Sequence, residues 1–404
     1  MRRVRTVPPE LAHRAPRRMG RLVEAALNGS AEALLVVPGG PGTGGDLRRM
    51  APERGAAEDT ALIMMTSGPP GDPKGVELSA EALRRAAAGM HERLGGPGQW
   101  LVALPCSHIG GMQAMVRSWV AGIPPVVMDP GPFDPREFLR AVDRMDPGVR
   151  HFTALVPTQL ERLLEAGADL SALDGILVGT SRTPGHLVHR ARDAGAQLRL
   201  SYGMTETCGG CVVDGVPLDH VRIRLGAGGR IEIGGAGVAS RYRLDPVRTA
   251  SRFRSGYFRA ADIGGWEADG TLKVVRRADD VISSGGVEVS AADVESSLRR
   301  HEHVRDCAVV GFPDDVGAER IVAIVVPDDG ARVPSLSELR RHVMADSAWY
   351  RAPRQLIVLD SLPCGPAGQV DRALLKRLPS RSLADGDVVG EDGVHKVLRM
   401  ETRE

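Results

Sequence analysis

Between residues 60 and 201, short apolar runs alternate with amphipathic segments, and this alternation limits the fold more than any other feature of the chain. The runs at 61–65, 100–104, 125–128, 151–156, 175–178 and 197–201 read as strands. The intervening stretches 80–94, 112–121, 135–145, 157–166 and 185–194 read as helices, with Pro157 suited to a first helical turn. Strands that alternate with helices join as crossover units, which predicts an α/β domain with a largely parallel sheet. Ligands of such sheets sit beyond the C-terminal strand ends. Thr66, Pro105, Val156, Gly179 and Tyr202 all fall at or just after predicted strand ends, which points to one shared pocket.

The pattern changes twice further on. Residues 216–276 carry short alternating strands separated by Gly turns, a β-rich subdomain. Residues 277–286 are polar and Gly-rich, a hinge, and a compact unit follows: helix 291–300, strands 304–311 and 321–326, helix 335–345 and strand 355–359. The expected fold class is α/β, with a large N-terminal α/β domain bearing a β-rich subdomain, plus a small mobile α+β C-terminal domain. The expected partition is 1–57 as N-terminal extension and linker, 58–276 as the large domain, 277–380 as the small domain, and 381–404 as a loosely ordered tail. A chain of 404 residues is long enough for both cores.

Charge excludes some partners. Lys+Arg and Asp+Glu number 52 and 51, so no bulk field draws the chain to nucleic acid or a membrane surface. No apolar run reaches membrane-spanning length, and the Arg-rich start has no apolar core of a secretory signal behind it. Cysteines at 106, 208, 211, 307 and 364 are scattered, with one lone C-x-x-C, and read as free thiols of a reducing cytoplasm. The expectation is a cytoplasmic enzyme or binding protein of small molecules, with a homodimer as the default assembly.

The stretch Thr66-Ser67-Gly68-Pro69-Pro70-Gly71-Asp72-Pro73-Lys74-Gly75 follows an apolar strand and precedes a helix-like segment at 79–83. Backbone N–H groups and hydroxyls of such a loop can face an anion while Lys74 adds a charge, although the same residues also suit a plain surface turn. Lys occurs only at 74, 273, 376 and 396, so its presence here carries weight.

Four stretches resemble, in order and spacing, the signatures of the acyl-adenylate-forming (AMP-binding) superfamily. They are the loop 66–75, Tyr202-Gly203-Met204-Thr205-Glu206-Thr207, Arg277-Ala278-Asp279-Asp280 with Ile282-Ser283-Ser284-Gly285-Gly286, and Gly368-Gln369-Val370-Asp371-Arg372. Within that superfamily the chain is similar to the short o-succinylbenzoate–CoA ligases. The similarity rests on Leu94-Gly95-Gly96-Pro97-Gly98, Pro105 with His108-Ile109 and Gly111, residues 155–160, residues 214–218 and residues 304–309.

The resemblance implies ATP, Mg²⁺ and CoA, and two half-reactions on a carboxylic acid. Thr66, Ser67, Gly68, Gly71 and Lys74 would cradle the β/γ-phosphates, Glu206 would hold Mg²⁺, and Thr205 would donate to the α-phosphate. Gly179, Thr180, Ser181, Tyr202 and Gly203 would line the adenine side, and Asp262 and Arg277 would meet the ribose. His108, Thr153, Thr158 and Gly209 would border the acyl group. Asp279 would be the hinge, and Ser284, Gly285 and Gly286 would approach the pantetheine arm.

Two departures bear on the first half-reaction. Gln369 stands where adenylating relatives carry a Lys, and an amide cannot neutralise the developing phosphate charge. Pro69 and Pro70 replace two hydroxyl residues and remove two N–H donors. The leading expectation is an AMP-forming acyl-CoA ligase for o-succinylbenzoate or a related aromatic acid, working slowly or with altered phosphate contacts. A homologue repurposed for thioesterification or for a non-carboxylate, and a non-catalytic nucleotide-binding protein, stand as alternatives.

Overall fold

The computed structural model describes residues 1–8, 11, 15–29, 31–37, 43–66, 74–128, 132–181, 183–277, 281–284, 287–313, 319–328, 332–363, 370–376, 389–390 and 393–397. Its described residues divide into two compact units. The first takes Met1–Ala260 and Gly264–Val274; the second takes Ala261–Ile263 and the described residues from Val275 onward.

In the first unit, strands Val4–Val7, Ala33–Val36, Thr60–Thr66, Lys74–Ser79 and Arg241–Tyr242 lie side by side in that order. The first three are parallel, and the last two run antiparallel to their neighbours. A second, seven-stranded sheet runs in the order Val216–Pro217, Gly209–Val213, Leu198–Met204, Gly175–Val178, His151–Leu155, Gln99–Val102, Val126–Val127. Its last five strands are parallel, as the crossover pattern requires, and Gly209–Val213 folds back as a hairpin.

Helices Pro16–Leu27, Ala80–Arg93 and Ile109–Ala121 share one buried cluster with both sheets, through Met19, Val23, Leu62, Met64, Leu83 and Met115. Helices Pro135–Asp143, Pro157–Glu165 and Gly185–Asp193 cover the outer face of the parallel sheet around Phe138, Leu160 and Leu187. Five of these six helices are polar on the remaining face, the pattern expected of helices that bury one stripe, whereas Ile109–Ala121 is buried almost all round. Strands Val221–Leu225, Arg230–Gly235, Tyr257–Trp266 and Phe253–Arg254 form the β-rich sheet, with Leu272–Arg277 beside Tyr257–Trp266.

In the second unit, Val304–Pro313 pairs antiparallel with Glu319–Pro327, which is parallel to Gln355–Val358. One face packs on helices Ala291–Leu298 and Leu336–Asp346, the other on Leu362 and Leu375. Val281–Ser284 and Val287–Ser290 form a separate hairpin.

Three local expectations change. Lys74 and Gly75, read as the end of the Gly-rich loop, instead begin a strand: Lys74–Ser79 runs antiparallel to Thr60–Thr66 with Val76 and Leu78 buried. The helix starts at Ala80, where Ser79 Oγ accepts the Ala82 N–H at 3.1 Å. Within 1–57, Val4–Val7 and Ala33–Val36 are strands of the first sheet rather than parts of an extension. In the tail, Gly393–Val397 pairs parallel to Gln355–Val358.

Candidate active site

Lys74, Glu206 and Tyr242 meet in the first unit. Lys74 opens its strand directly opposite Thr66, the last residue of the neighbouring strand. Glu206 lies in a buried 3-10 turn, Thr205–Thr207, held between Leu198–Met204 and Gly209–Val213. The Thr207 hydroxyl locks this turn: it accepts the Met204 N–H at 2.9 Å and contacts the Gly209 carbonyl at 2.7 Å. The hairpin closes tightly, since a Cβ on Gly203 would lie 2.0 Å from the Gly209 carbonyl oxygen.

Lys74 Nζ donates to Glu206 Oε1 at 2.7 Å, and the Tyr242 hydroxyl donates to the same oxygen at 2.7 Å. The ammonium also stands 4.9 Å from the Tyr242 ring centroid. Burial alone would push the Glu206 carboxyl up. The Lys74 charge and the hydrogen bonds from Lys74 and Tyr242 outweigh it and hold Glu206 below the ordinary carboxylate value. The same pairing raises the Tyr242 phenol, burial first and the Glu206 charge second. Glu206 is therefore an ionised, hard oxygen donor with both side-chain donors spent on Oε1. That suits Mg²⁺, which is commonly held by one or two carboxylates together with phosphates. Among the described residues, no group of three or more His, Cys, Asp or Glu could hold a metal by itself.

The other expected residues distribute as follows. Gly179, Thr180 and Ser181 follow the Gly175–Val178 strand, and a Cβ on Gly179 would lie 2.6 Å from the Ser201 carbonyl oxygen. Thr180 has φ 75°, a left-handed backbone that costs a β-branched residue on the order of 1–3 kcal/mol. Tyr202 and Gly203 lie within a strand that runs on to Met204, so Tyr202 is not at its end; its half-buried ring packs against the core. Thr205 is buried beside Glu206.

His108 caps the Ile109–Ala121 helix: its Nδ1 accepts the Gly110 N–H at 3.1 Å. Burial pulls its pKa to about 4, so the ring is neutral, and its proton sits on Nε2. Gly209, φ 90°, lies against Gln113. Thr153 faces the core instead of a pocket: it is fully buried and its hydroxyl donates to the Leu101 carbonyl at 3.0 Å across the sheet. Thr158 is exposed in the first turn of its helix, where Pro157 and Gln159 organise the start.

In the second unit, Arg277 Nη1 stands 3.8 Å from Asp262 Oδ1, with Asp262 buried and Arg277 half exposed. Ser284 is buried and its hydroxyl has no hydrogen-bond partner among the described residues. Ser67, Gly68, Gly71, Asp279, Gly285, Gly286 and Gln369 lie outside the described residues.

Sequence reading passed over Tyr242, although Tyr is scarce here, at four in the chain. It also passed over Gln113 and Arg117. Both are buried on the helix that His108 caps, four residues apart and so on one face. Two polar residues at that spacing on a mainly apolar helix were the available signal.

The "AMP-binding enzyme" family profile matches residues 8–242, and that of the "AMP-binding enzyme C-terminal domain" matches residues 293–368. The chain belongs to the AMP-binding enzyme family. A "Probable 2-succinylbenzoate–CoA ligase" of Mycobacterium tuberculosis is 45% identical over 79% of this chain and 85% of its own length. A 2-succinylbenzoate–CoA ligase of Bacillus pumilus is 30% identical over 78% of this chain and 68% of its own length. Among solved AMP-binding enzymes, the o-succinylbenzoate CoA synthetase (MenE) of Bacillus subtilis, in complex with its acyl-adenylate OSB-AMP, superposes with a TM-score of 0.71. It is 27% identical, over 89% of this chain and 80% of that one. The mixed α/β architecture, a large N-terminal and a small C-terminal domain, is that of this family.

Proposed function

We propose that this AMP-binding enzyme is an acid–thiol ligase that activates 2-succinylbenzoate with ATP and transfers the acyl group to CoA. The convergence of Lys74 and Glu206, two residues far apart in sequence, carries the reading, and the relatives named above support the choice of acid. The acid's carboxylate oxygen attacks the α-phosphorus of ATP, the bond to the β-phosphate bridge breaks, and pyrophosphate leaves. The CoA thiolate then attacks the acyl carbonyl, and AMP leaves with the carboxyl oxygen.

Lys74, with Thr66 beside it, would neutralise β/γ-phosphate oxygens, and Thr205 would donate to the α-phosphate. Glu206 would hold Mg²⁺, which when bound supplies positive charge to the triphosphate. Tyr202, Gly179, Thr180 and Ser181 would border the base, and Asp262 with Arg277 the ribose. His108, as a neutral Nε2–H donor, and Gly209 would face the acyl group. Asp279 would serve as the hinge, and Ser284, Gly285 and Gly286 would lie along the pantetheine arm.

2-Succinylbenzoate has two carboxylates, and only one becomes the adenylate. The other calls for a fixed positive charge. Arg117 is 2% exposed, stacks 4.6 Å over Trp100, and has no Nε hydrogen-bond partner among the described residues. Burial lowers its pKa to about 9, which leaves it charged at neutral pH. Gln113 is fully buried, and neither amide atom has a partner among the described residues. We assign the second carboxylate to this pair, since a buried guanidinium with an unpartnered Nε is costly until an anion meets it.

Pyrophosphate exchange across a panel of carboxylic acids tests the reading. Exchange with 2-succinylbenzoate, and CoA-dependent turnover of it, are expected; exchange with no acid would sink the ligase assignment. Arg117→Met should raise KM for the dicarboxylate by about tenfold or more, the usual loss for a charged hydrogen bond. It should change KM for 2-substituted benzoates lacking the second carboxylate by less than threefold, roughly the scatter of neutral contacts.

The four described cysteines are free and buried, which fits a cytoplasmic setting. Among the described residues, no helix is long and apolar enough to cross a membrane. A homodimer is the assembly we expect by light scattering.

A further inference from the structure

Tyr242 belongs to neither the strand that carries Lys74 nor the turn that carries Glu206, yet it touches both residues. Its strand, Arg241–Tyr242, pairs antiparallel with the Lys74 strand, Tyr242 opposite Val76. The residue is held on every side. Its N–H donates to Thr249 Oγ1 at 3.0 Å, and its ring meets Phe253 edge-on at 5.3 Å. Arg243, next in the chain, is buried. It donates to the carbonyls of Met50, Ala51 and Gly55 at 2.6–2.8 Å and to Glu77 at 3.1 Å. The Tyr242 ring is 3% exposed, so its hydroxyl has little freedom to turn elsewhere.

That hydroxyl shares Glu206 Oε1 with Lys74. It also stands 3.4 Å from Lys74 Nζ, as a second acceptor for the same ammonium. The two jobs assigned to this pair pull its members apart. Lys74 must turn to phosphate oxygens, and Glu206 must turn to a cation. When Lys74 leaves, a buried carboxylate oxygen would lose its partner, which is costly. The Tyr242 hydroxyl keeps that oxygen filled and keeps the carboxylate oriented. Its oxygen and ring face meanwhile give Lys74 a weaker hold from which to swing.

We propose that Tyr242 is a positioning residue for triphosphate binding, the fixed post that lets the Lys74–Glu206 ion pair open without leaving Glu206 unpartnered. The proposal rests on the reading of Lys74 and Glu206 as the MgATP pair and goes beyond it by adding the residue that sets their exchange. It concerns nucleotide alone, so its test needs no acid.

Isothermal calorimetry on the full-length wild type and Tyr242→Phe, with MgATP and separately with AMP, provides that test. The Phe keeps the ring and removes only the hydroxyl. The expected result is MgATP affinity about tenfold weaker, AMP affinity within twofold of wild type, and an unchanged melting temperature. A Lys74→Met background should shrink the effect of Tyr242→Phe on MgATP to less than twofold, because no ammonium remains to hand over. Equal losses for AMP and MgATP with a lowered melting temperature would mean a merely structural residue and overturn the proposal. So would wild-type MgATP affinity in Tyr242→Phe. A wild type that binds AMP but not MgATP would overturn the underlying adenylation reading, and the proposal with it.

Discussion

At the scale of single residues, one ion pair separates the two half-reactions. Among the described residues Lys74 Nζ bonds to Glu206 and Tyr242, and the phosphates it would meet leave as pyrophosphate after the first step. Lys74→Met should therefore lower pyrophosphate exchange by about 10²–10³, the usual loss for one transition-state charge contact. CoA-dependent consumption of supplied acyl-AMP should stay within about threefold of wild type, since that step makes no new phosphate contact. A parallel collapse of both rates would mean that Lys74 holds the fold, not the triphosphate. Gln369 makes the complementary case. A Lys at this position adds a charge that the amide lacks, so Gln369→Lys should raise pyrophosphate exchange by about tenfold or more. No gain would show that this chain has moved that function to another group.

At the scale of elements, the hairpin that carries Glu206 depends on an approach that only Gly allows. Gly203→Ala would place a methyl 2.0 Å from the Gly209 carbonyl oxygen, a backbone atom with no easy retreat. Overpacking of this kind costs about 1–3 kcal/mol, and here it would also shift Thr205–Thr207. A lower melting temperature with a larger loss of MgATP than of AMP affinity is expected, read by scanning fluorimetry and calorimetry. The parallel strands and their crossover helices were legible because burial on both faces writes itself as unbroken apolar runs, as in Gly175–Val178. The Lys74–Ser79 strand was not legible. Its Val76 and Leu78 alternate with Gly75 and Glu77 over too few residues, and a helix follows at once. Glu77 itself is buried because Arg243, far along the chain, pairs with it at 3.1 Å, and no local pattern encodes that partner. Tyr242 escaped for the same reason: its role exists only where an edge strand meets two distant loops. Thr153 misled in the opposite direction, as a polar residue in mid-strand whose hydroxyl is spent inside the sheet.

At the scale of the whole molecule, buried histidines give the fold a pH dependence on the acid side. Burial lowers His91 and His108 to about 4 in the first unit, with the Arg117 charge adding to the effect on His91. In the second unit, His301 is lowered by burial and by its neighbours His342 and His303, whose rings lie 5.1 and 5.7 Å away. Glu338 and Glu302 oppose that shift without reversing it. The unfolded chain takes up these protons near pH 6.5, whereas the folded first unit refuses them until about pH 4. The unfolded state thus binds more protons in that window, so stability falls as pH drops from about 6.5 toward 4. Above the upper limit these groups contribute no slope. A fully buried histidine contributes at most about 1.4 kcal/mol per pH unit, and His91, 6% exposed, comes nearest to that limit. His91→Leu removes the titration together with an imidazole nitrogen, Nε2, that has no partner among the described residues. Urea midpoints at pH 7.5 and pH 5.5 should differ less in this variant than in the wild type, with a similar midpoint at pH 7.5. An unchanged difference would place the acid sensitivity elsewhere, in the carboxylates or in the second unit, where His301→Gln is the matching comparison.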